Sequence, residues 1–198
     1  MALFETARAF IALNIEVAPL RRLIESVTRL RAHPSAPRAS WVSPPRMHVT
    51  LKFLGEMDVG LAAPLRGALT SLARERATPR LAFSKLGAFP SVTAARVVFL
   101  EVEDMGGETA SLATAVDELG EQLGFARETR PYHPHLTLAR TREAVDVQAW
   151  LLAVPPVRVV ALAPEVVLYR SDFARPGAEY EALGRFALSP RRSSKKTA

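Results

Sequence analysis

The sequence predicts an α+β domain of antiparallel sheet with outer helices, made of two duplicated halves. Two observations lead to this. β-Prone runs sit next to one another in places and next to helical spacings in others, which favours antiparallel pairing over a regular β-α-β alternation. The stretch Met47-His48-Val49-Thr50-Leu51 also returns as Pro134-His135-Leu136-Thr137-Leu138, 87 residues later and close to half the chain body. Each copy follows a proline-containing segment, as a duplicated lobe would give. Lobes related by a pseudo-two-fold axis would turn both copies toward one central cleft. A chain of 198 residues fits a single domain of this kind.

Taken in order, Ala9 to Asn14 is a short apolar run and a strand. Val17 to Leu30 places Leu20, Leu23, Ile24, Val27 and Leu30 at helical spacing. Ala32 to Pro45 holds four prolines and is loop. His48 to Leu54 is a strand, and Gly55 to Asp58 a turn. Val59 to Arg76 is a helix with Leu61, Leu65, Ala68, Leu69 and Leu72 on one face. Leu81 to Leu86 and Ala95 to Val102 are strands about a turn at Gly87-Ala88-Phe89-Pro90. Gly107 to Leu123 is a helix stopped by Gly124. His135 to Arg140 is a strand, and Glu143 to Leu152 a short helix with Val147, Trp150 and Leu151 inward. Strands at Val157 to Leu162, Glu165 to Tyr169 and Tyr180 to Leu188 complete the body.

Composition narrows the function classes. The chain is 48% apolar and 23% charged, as soluble domains are. It has no cysteine, which excludes disulfides, thiol nucleophiles and Cys-ligated metal clusters, and fits a cytoplasmic protein. No apolar run approaches a membrane span, and Met1 to Asn14 lacks the order of a signal peptide. Of the net charge of +6, +4 belongs to Ser189 to Ala198, so residues 1–188 carry only +2. The expected organisation is one domain over residues 1–188 and a basic, disordered tail over 189–198. That tail is first of all solubilising, with an attraction to RNA as a secondary role.

The repeated motif carries the chemistry. On a strand, positions i and i+2 share a face. His48 and Thr50 therefore oppose Val49 and Leu51, and His135 and Thr137 oppose Leu136 and Leu138. Each copy has an apolar side for a core and a polar side with one imidazole and one hydroxyl. Two imidazoles about one phosphorus suit in-line phosphoryl transfer. One takes a proton from the attacking water and the other gives a proton to the leaving oxygen. Histidine, with an ordinary pKa of about 6.5, suits both tasks. The threonines can donate to non-bridging oxygens, and Arg140 can neutralise phosphate charge where no metal does so. The near-symmetry of the copies leaves open which histidine is acid and which is base.

A metal site is the rival reading, with His133 and His135 two apart and His48 as a third ligand. Pro134 lies between the pair, no Asp or Glu sits beside either motif, and threonine is a poor ligand. No metal and no cofactor are therefore expected. His33, in the proline-rich loop, is a solvated residue.

The segments His48-Val49-Thr50-Leu51-Lys52-Phe53-Leu54-Gly55-Glu56 and Pro134-His135-Leu136-Thr137-Leu138-Ala139-Arg140 closely resemble the paired motifs of the 2H phosphoesterases. Within these the chain resembles the RNA 2',3'-cyclic phosphodiesterases, also called 2'-5' RNA ligases. Gly87-Ala88-Phe89-Pro90 with Arg96, and Leu168-Tyr169-Arg170-Ser171 with Gly177 and Tyr180, are similar to the middle and end of that family. The resemblance covers roughly residues 9–188. It implies a bilobal α+β fold with a central cleft, and metal-free opening of RNA 2',3'-cyclic phosphates to 2'-phosphomonoesters. It also implies an RNA or nucleotide partner, tRNA fragments among them, and in some members 2'-5' joining of tRNA halves. By that resemblance His48 is the proton donor, His135 the acceptor, and Thr50, Thr137 and Arg140 contact phosphate. Phe53 matches an aromatic position near the base, yet strict alternation puts it with Val49 and Leu51 on the core side. The expected state is a monomer. Two other readings share these residues: an RNA-end-binding module without turnover, and a 2H phosphoesterase for ADP-ribose 1'',2''-cyclic phosphate or a 2'-5' oligoadenylate.

Overall fold

A computed structural model describes residues 6–172 and 179–191. Nine strands and four helices follow one another as β1 (Thr6–Asn14), α1 (Val17–Ala32), β2 (Ser40–Trp41), β3 (Val49–Asp58), α2 (Ala62–Glu75), β4 (Arg80–Phe89), β5 (Ala95–Asp104), α3 (Glu108–Gln122), β6 (His135–Val145), α4 (Gln148–Ala153), β7 (Val159–Leu162), β8 (Glu165–Asp172) and β9 (Glu179–Ala187). All strands belong to one curled sheet in the order β7-β4-β5-β6-β3-β1-β8-β9, with β2 added beside β6. Every pairing between named strands is antiparallel. The predicted α+β class is thus observed.

The duplication is visible in the topology. The run β1-α1-β3-α2-β4 is answered by β5-α3-β6-α4-β8, with β1 beside β3 and β5 beside β6. β4 pairs with β5 of the second run, and β8 pairs with β1 of the first. Each half therefore gives its closing strand to the other. The two halves meet edge to edge where Val49 of β3 faces Leu136 of β6.

The apolar stripe predicted on α1 buries Leu23, Val27 and Leu30. α2 buries Leu65 and Leu69, and α3 buries Leu112 and Val116. These meet Ile11, Leu13, Val49, Phe83, Leu100, Leu136 and Leu138 in one core on the outer face of the sheet. A leucine taken fully out of water in this way contributes roughly 1.5–3 kcal/mol. A small second cluster, Phe10, Ala12, Val167 and Tyr169, lies on the opposite, inner face, because its β1 members alternate with Ile11 and Leu13. α1 ends at the residue before His33-Pro34, where His33 is extended as a residue preceding proline must be. Gly124 stops α3 as predicted: its φ is +87°, and the Phe125 N–H reaches back to the Gly120 carbonyl at 3.0 Å.

Four boundaries differ from the sequence expectation. Gly55 to Asp58 is no turn; β3 runs through it, paired with Thr6 to Ala9, and Gly55 takes a φ of +70°. Gly87 to Phe89 are the last residues of β4, paired with Phe99 to Val97, so the turn comes later. Residues 143–145 continue β6, and the helix forms only from Gln148, with Trp150 buried. The proline-rich loop contains β2, whose Ser40 and Trp41 pair with Arg140 and Ala139. At the C-terminal end, Ser189 exchanges backbone hydrogen bonds with Arg76 and Thr78, and Arg191 pairs with Glu108 at 3.2 Å. The first residues of the expected basic tail are thus anchored. Its remainder, 192–198, and Gly177 lie outside the described residues.

Candidate active site

The two motifs are brought together by the contact between β3 and β6. The Val49 and Leu136 pair sets an antiparallel register in which His48 falls across from Thr137 and Thr50 across from His135. The four polar residues form the corners of one patch on the inner face, histidines on one diagonal and threonines on the other. Diagonal neighbours of this kind are roughly 7–8 Å apart, a span that a phosphate group can bridge. His48 stands just before β3 and His135 opens β6. The two rings are close enough for a charge on His135 to lower the affinity of His48 for a proton, and Arg140 acts on both.

Each copy contains the same irregularity. Ile11 pairs with Lys52 and Ala12 with Thr50, so Leu51 has no opposite number in β1. Val98 pairs with Ala139 and Phe99 with Thr137, so Leu138 has none in β5. Both motifs thus carry a β-bulge at the residue after the threonine. A bulge shifts side-chain alternation by one. Phe53 and Arg140, each three residues beyond its threonine, are thereby moved onto the face of the histidines. This corrects the core-side expectation for Phe53: its ring is 65% exposed and lies 6.0 Å from Phe10 on the inner face. Lys52, next to it, points into the core instead. Its ammonium donates to Asp117 and to the Ala126 carbonyl at 2.7 Å.

The surroundings set the protonation of both rings. His48 is enclosed by Phe10, stacked at 4.9 Å, and by Tyr169 and Tyr180 at 6.0 and 5.5 Å. That burial pushes its pKa down to about 4. A hydrogen bond to the Arg46 backbone opposes the shift, and the charges of His135 and Arg140 add to it. His135 lies against Phe89 and Phe99, and burial lowers it too, opposed by its bond to His133 and assisted by the charges of His133 and Arg140. Nδ1 of His135 sits 2.8 Å from the His133 carbonyl. A carbonyl only accepts, so Nδ1 carries the hydrogen and Nε2 is left with a lone pair. The backbone two residues before each histidine, at Arg46 or His133, opposes the lowering in both copies.

The hydroxyls of Thr50 and Thr137 and the guanidinium of Arg140 have no hydrogen-bond or ion-pair partner among the described residues. They are available to a ligand. Of three further residues in the site, Tyr132 and Phe10 were not singled out from the sequence, and His133 was weighed only as a metal ligand. The hydroxyl of Tyr132 donates to the Thr50 carbonyl at 3.0 Å and ties the segment before one motif to the backbone of the other. Its burial raises the phenol pKa and keeps it a donor. Phe10 supplies the floor beneath His48, and the His133 ring lies 6.2 Å from that of His135. Tyr132 and His133 had one legible signal, their position directly before the second motif. No group of three potential metal ligands converges among the described residues, and none of their helices is long and apolar enough to cross a membrane.

The comparisons place the chain in a class of phosphoesterases. Residues 15–99 match the family model described as LigT-like phosphoesterase. The RNA 2',3'-cyclic phosphodiesterase of Escherichia coli is 31% identical over 191 residues, covering 93% of this chain and 98% of that protein. The protein of the same name from Geobacillus stearothermophilus is 35% identical over 159 residues, or 79% of this chain, which spans only 50% of that relative. The crystal structure of E. coli LigT complexed with 3'-AMP superposes with a TM-score of 0.76 at 26% identity, covering 93% of this chain and 99% of that one. A Thermus thermophilus structure gives the same TM-score at 28% identity, covering 91% and 97%. The chain belongs to the LigT-like phosphoesterase family.

Proposed function

We propose that the chain hydrolyses 2',3'-cyclic phosphate ends of RNA to 2'-phosphomonoesters, without a metal, by acid–base catalysis at His48 and His135. The observation that carries this is the diagonal placement of the two imidazoles on one face, with Nδ1 of His135 tied to the His133 carbonyl. The names of the full-length relatives support the substrate class. Nε2 of His135 takes a proton from water as the water oxygen attacks phosphorus. The bond from phosphorus to O3' breaks, and O3' receives a proton from His48. The products are a 2'-phosphate and a 3'-hydroxyl. Thr50, Thr137 and Arg140 hold the non-bridging oxygens and offset the charge gathering on them. Attack by the 5'-hydroxyl of a second strand, in place of water, would use the same two histidines and leave a 2'-5' linkage.

The donor must be protonated, whereas burial keeps His48 neutral in the free protein at pH 7. The incoming phosphate is an anion placed between the rings and raises both pKa values, His48 with its greater deficit included. Hydrolysis of adenosine 2',3'-cyclic phosphate in excess EDTA tests the proposal. The expected outcome is undiminished turnover to the 2'-monophosphate. Loss of activity with EDTA and its return with zinc or manganese would contradict it.

A further inference from the structure

Each histidine has beside it a phenylalanine plane open to solvent. Near His48 it is Phe53, tilted against Phe10. Near His135 it is Phe89, the last residue of β4, 36% exposed. The Phe89 ring stacks on Phe99 at 4.3 Å with 24° between planes. His133 stands steeply to both rings, 5.6 Å from Phe89 and 5.7 Å from Phe99. His135 does the same at 5.3 and 5.4 Å. An imidazole equidistant from two stacked rings lies against the side of the stack and not over either outer face. Phe99 therefore covers one face of Phe89 and the imidazoles flank its edge. No ring among the described residues covers its outer face.

The stack is built into the sheet. Gly87 pairs with Phe99, and a Cβ on Gly87 would fall 2.6 Å from the Phe99 ring. Glycine at that position is what lets Phe99 lie flat and carry Phe89 above it. An open aromatic face beside an anion-binding patch has the chemistry of a nucleobase platform, since every base offers a π-face to stack.

We propose that the outer face of Phe89 stacks a second nucleobase, that of the nucleotide 5' to the cyclic phosphate, while Phe53 takes the terminal base. This rests on the phosphodiesterase reading above and narrows its substrate to a strand end of at least two nucleotides. Because stacking needs only a π-face, the preference is for length and not for sequence.

The test is the ratio of kcat/KM for the dinucleotide adenylyl-adenosine 2',3'-cyclic phosphate to that for adenosine 2',3'-cyclic phosphate. The wild-type ratio is expected to be roughly tenfold, from one added stacking contact. It should fall toward one in Phe89→Leu and be kept in Phe89→Trp, whatever either change does to the mononucleotide rate. A dinucleotide with an abasic 5' residue should lose the advantage in the wild type. A wild-type ratio near one, an unchanged ratio in Phe89→Leu, or an advantage surviving in the abasic substrate would overturn the assignment of Phe89 alone. Failure of the wild type to hydrolyse either substrate would instead remove the phosphodiesterase reading and this inference with it.

Discussion

The depressed pKa of His48 has a consequence for folding that needs no substrate. In the unfolded chain this imidazole titrates near 6.5, and in the fold burial lowers it to about 4. Below pH 6.5 the unfolded state binds a proton that the folded state refuses, so acid favours unfolding. Stability tied to this group is intact above 6.5 and is lost progressively as pH falls toward about 4. Between those two values each step of one pH costs about 1.36 kcal/mol, so the loss is about 2 kcal/mol at pH 5 and about 3 kcal/mol by pH 4. His135, also lowered by burial, acts in the same direction. The perturbation is His48→Gln, which removes the titration and keeps a polar side chain. Urea unfolding of wild type and variant at a series of pH values from 7.5 to 4 isolates the contribution of this ring, since the carboxylates are common to both. The variant should gain on the wild type by about 2 kcal/mol between pH 7.5 and 5. A difference between the two proteins that stays flat over that range would mean that the fold does not depress the His48 pKa.

Other outcomes follow from the site and its support. His48→Ala and His135→Ala should each lower kcat by roughly 10²- to 10⁴-fold, and the double variant should lose far less than the product, as steady-state assays can show. Arg140→Gln should lower kcat/KM by roughly 10²-fold. It should also move the alkaline limb of the pH profile upward, because the guanidinium charge helps hold both imidazoles down. In Gly120→Ala the new Cβ would lie 2.7 Å from Cε of Lys52, whose ammonium is buried against Asp117. Crowding of this kind costs roughly 1–3 kcal/mol, measurable as a lower urea midpoint with an unchanged m value.

The class of fold and the face that each histidine shares with its threonine were legible because both rest on short-range patterns. The 3.6-residue spacing in α1 and the period of two in each His-x-Thr-x motif have one simple structural solution. What the sequence hid was the bulges. Leu51 and Leu138 are apolar residues in apolar strands, and nothing local says that either lacks a partner across the sheet. Strict alternation consequently sent Phe53 inward. Gly55 and Gly87 were misleading for a related reason. Glycine marks a place where backbone or ring approaches closely, and a turn is only one such place. At Gly55 the need is a positive φ within a strand, and at Gly87 it is room for Phe99. The helix expected from residue 143 starts late because Val145 is still paired with Ala95, a long-range contact that outweighs local spacing.

Catalysis as proposed requires both imidazoles to address the same phosphate. NMR of imidazole 15N resonances, titrated with adenosine 2'-monophosphate as the expected product, tests it without relying on turnover. Nε2 signals of His48 and His135 should move together, with one dissociation constant, and both pKa values should rise in the complex. A shift at one ring while the other keeps its free position and pKa would contradict that requirement.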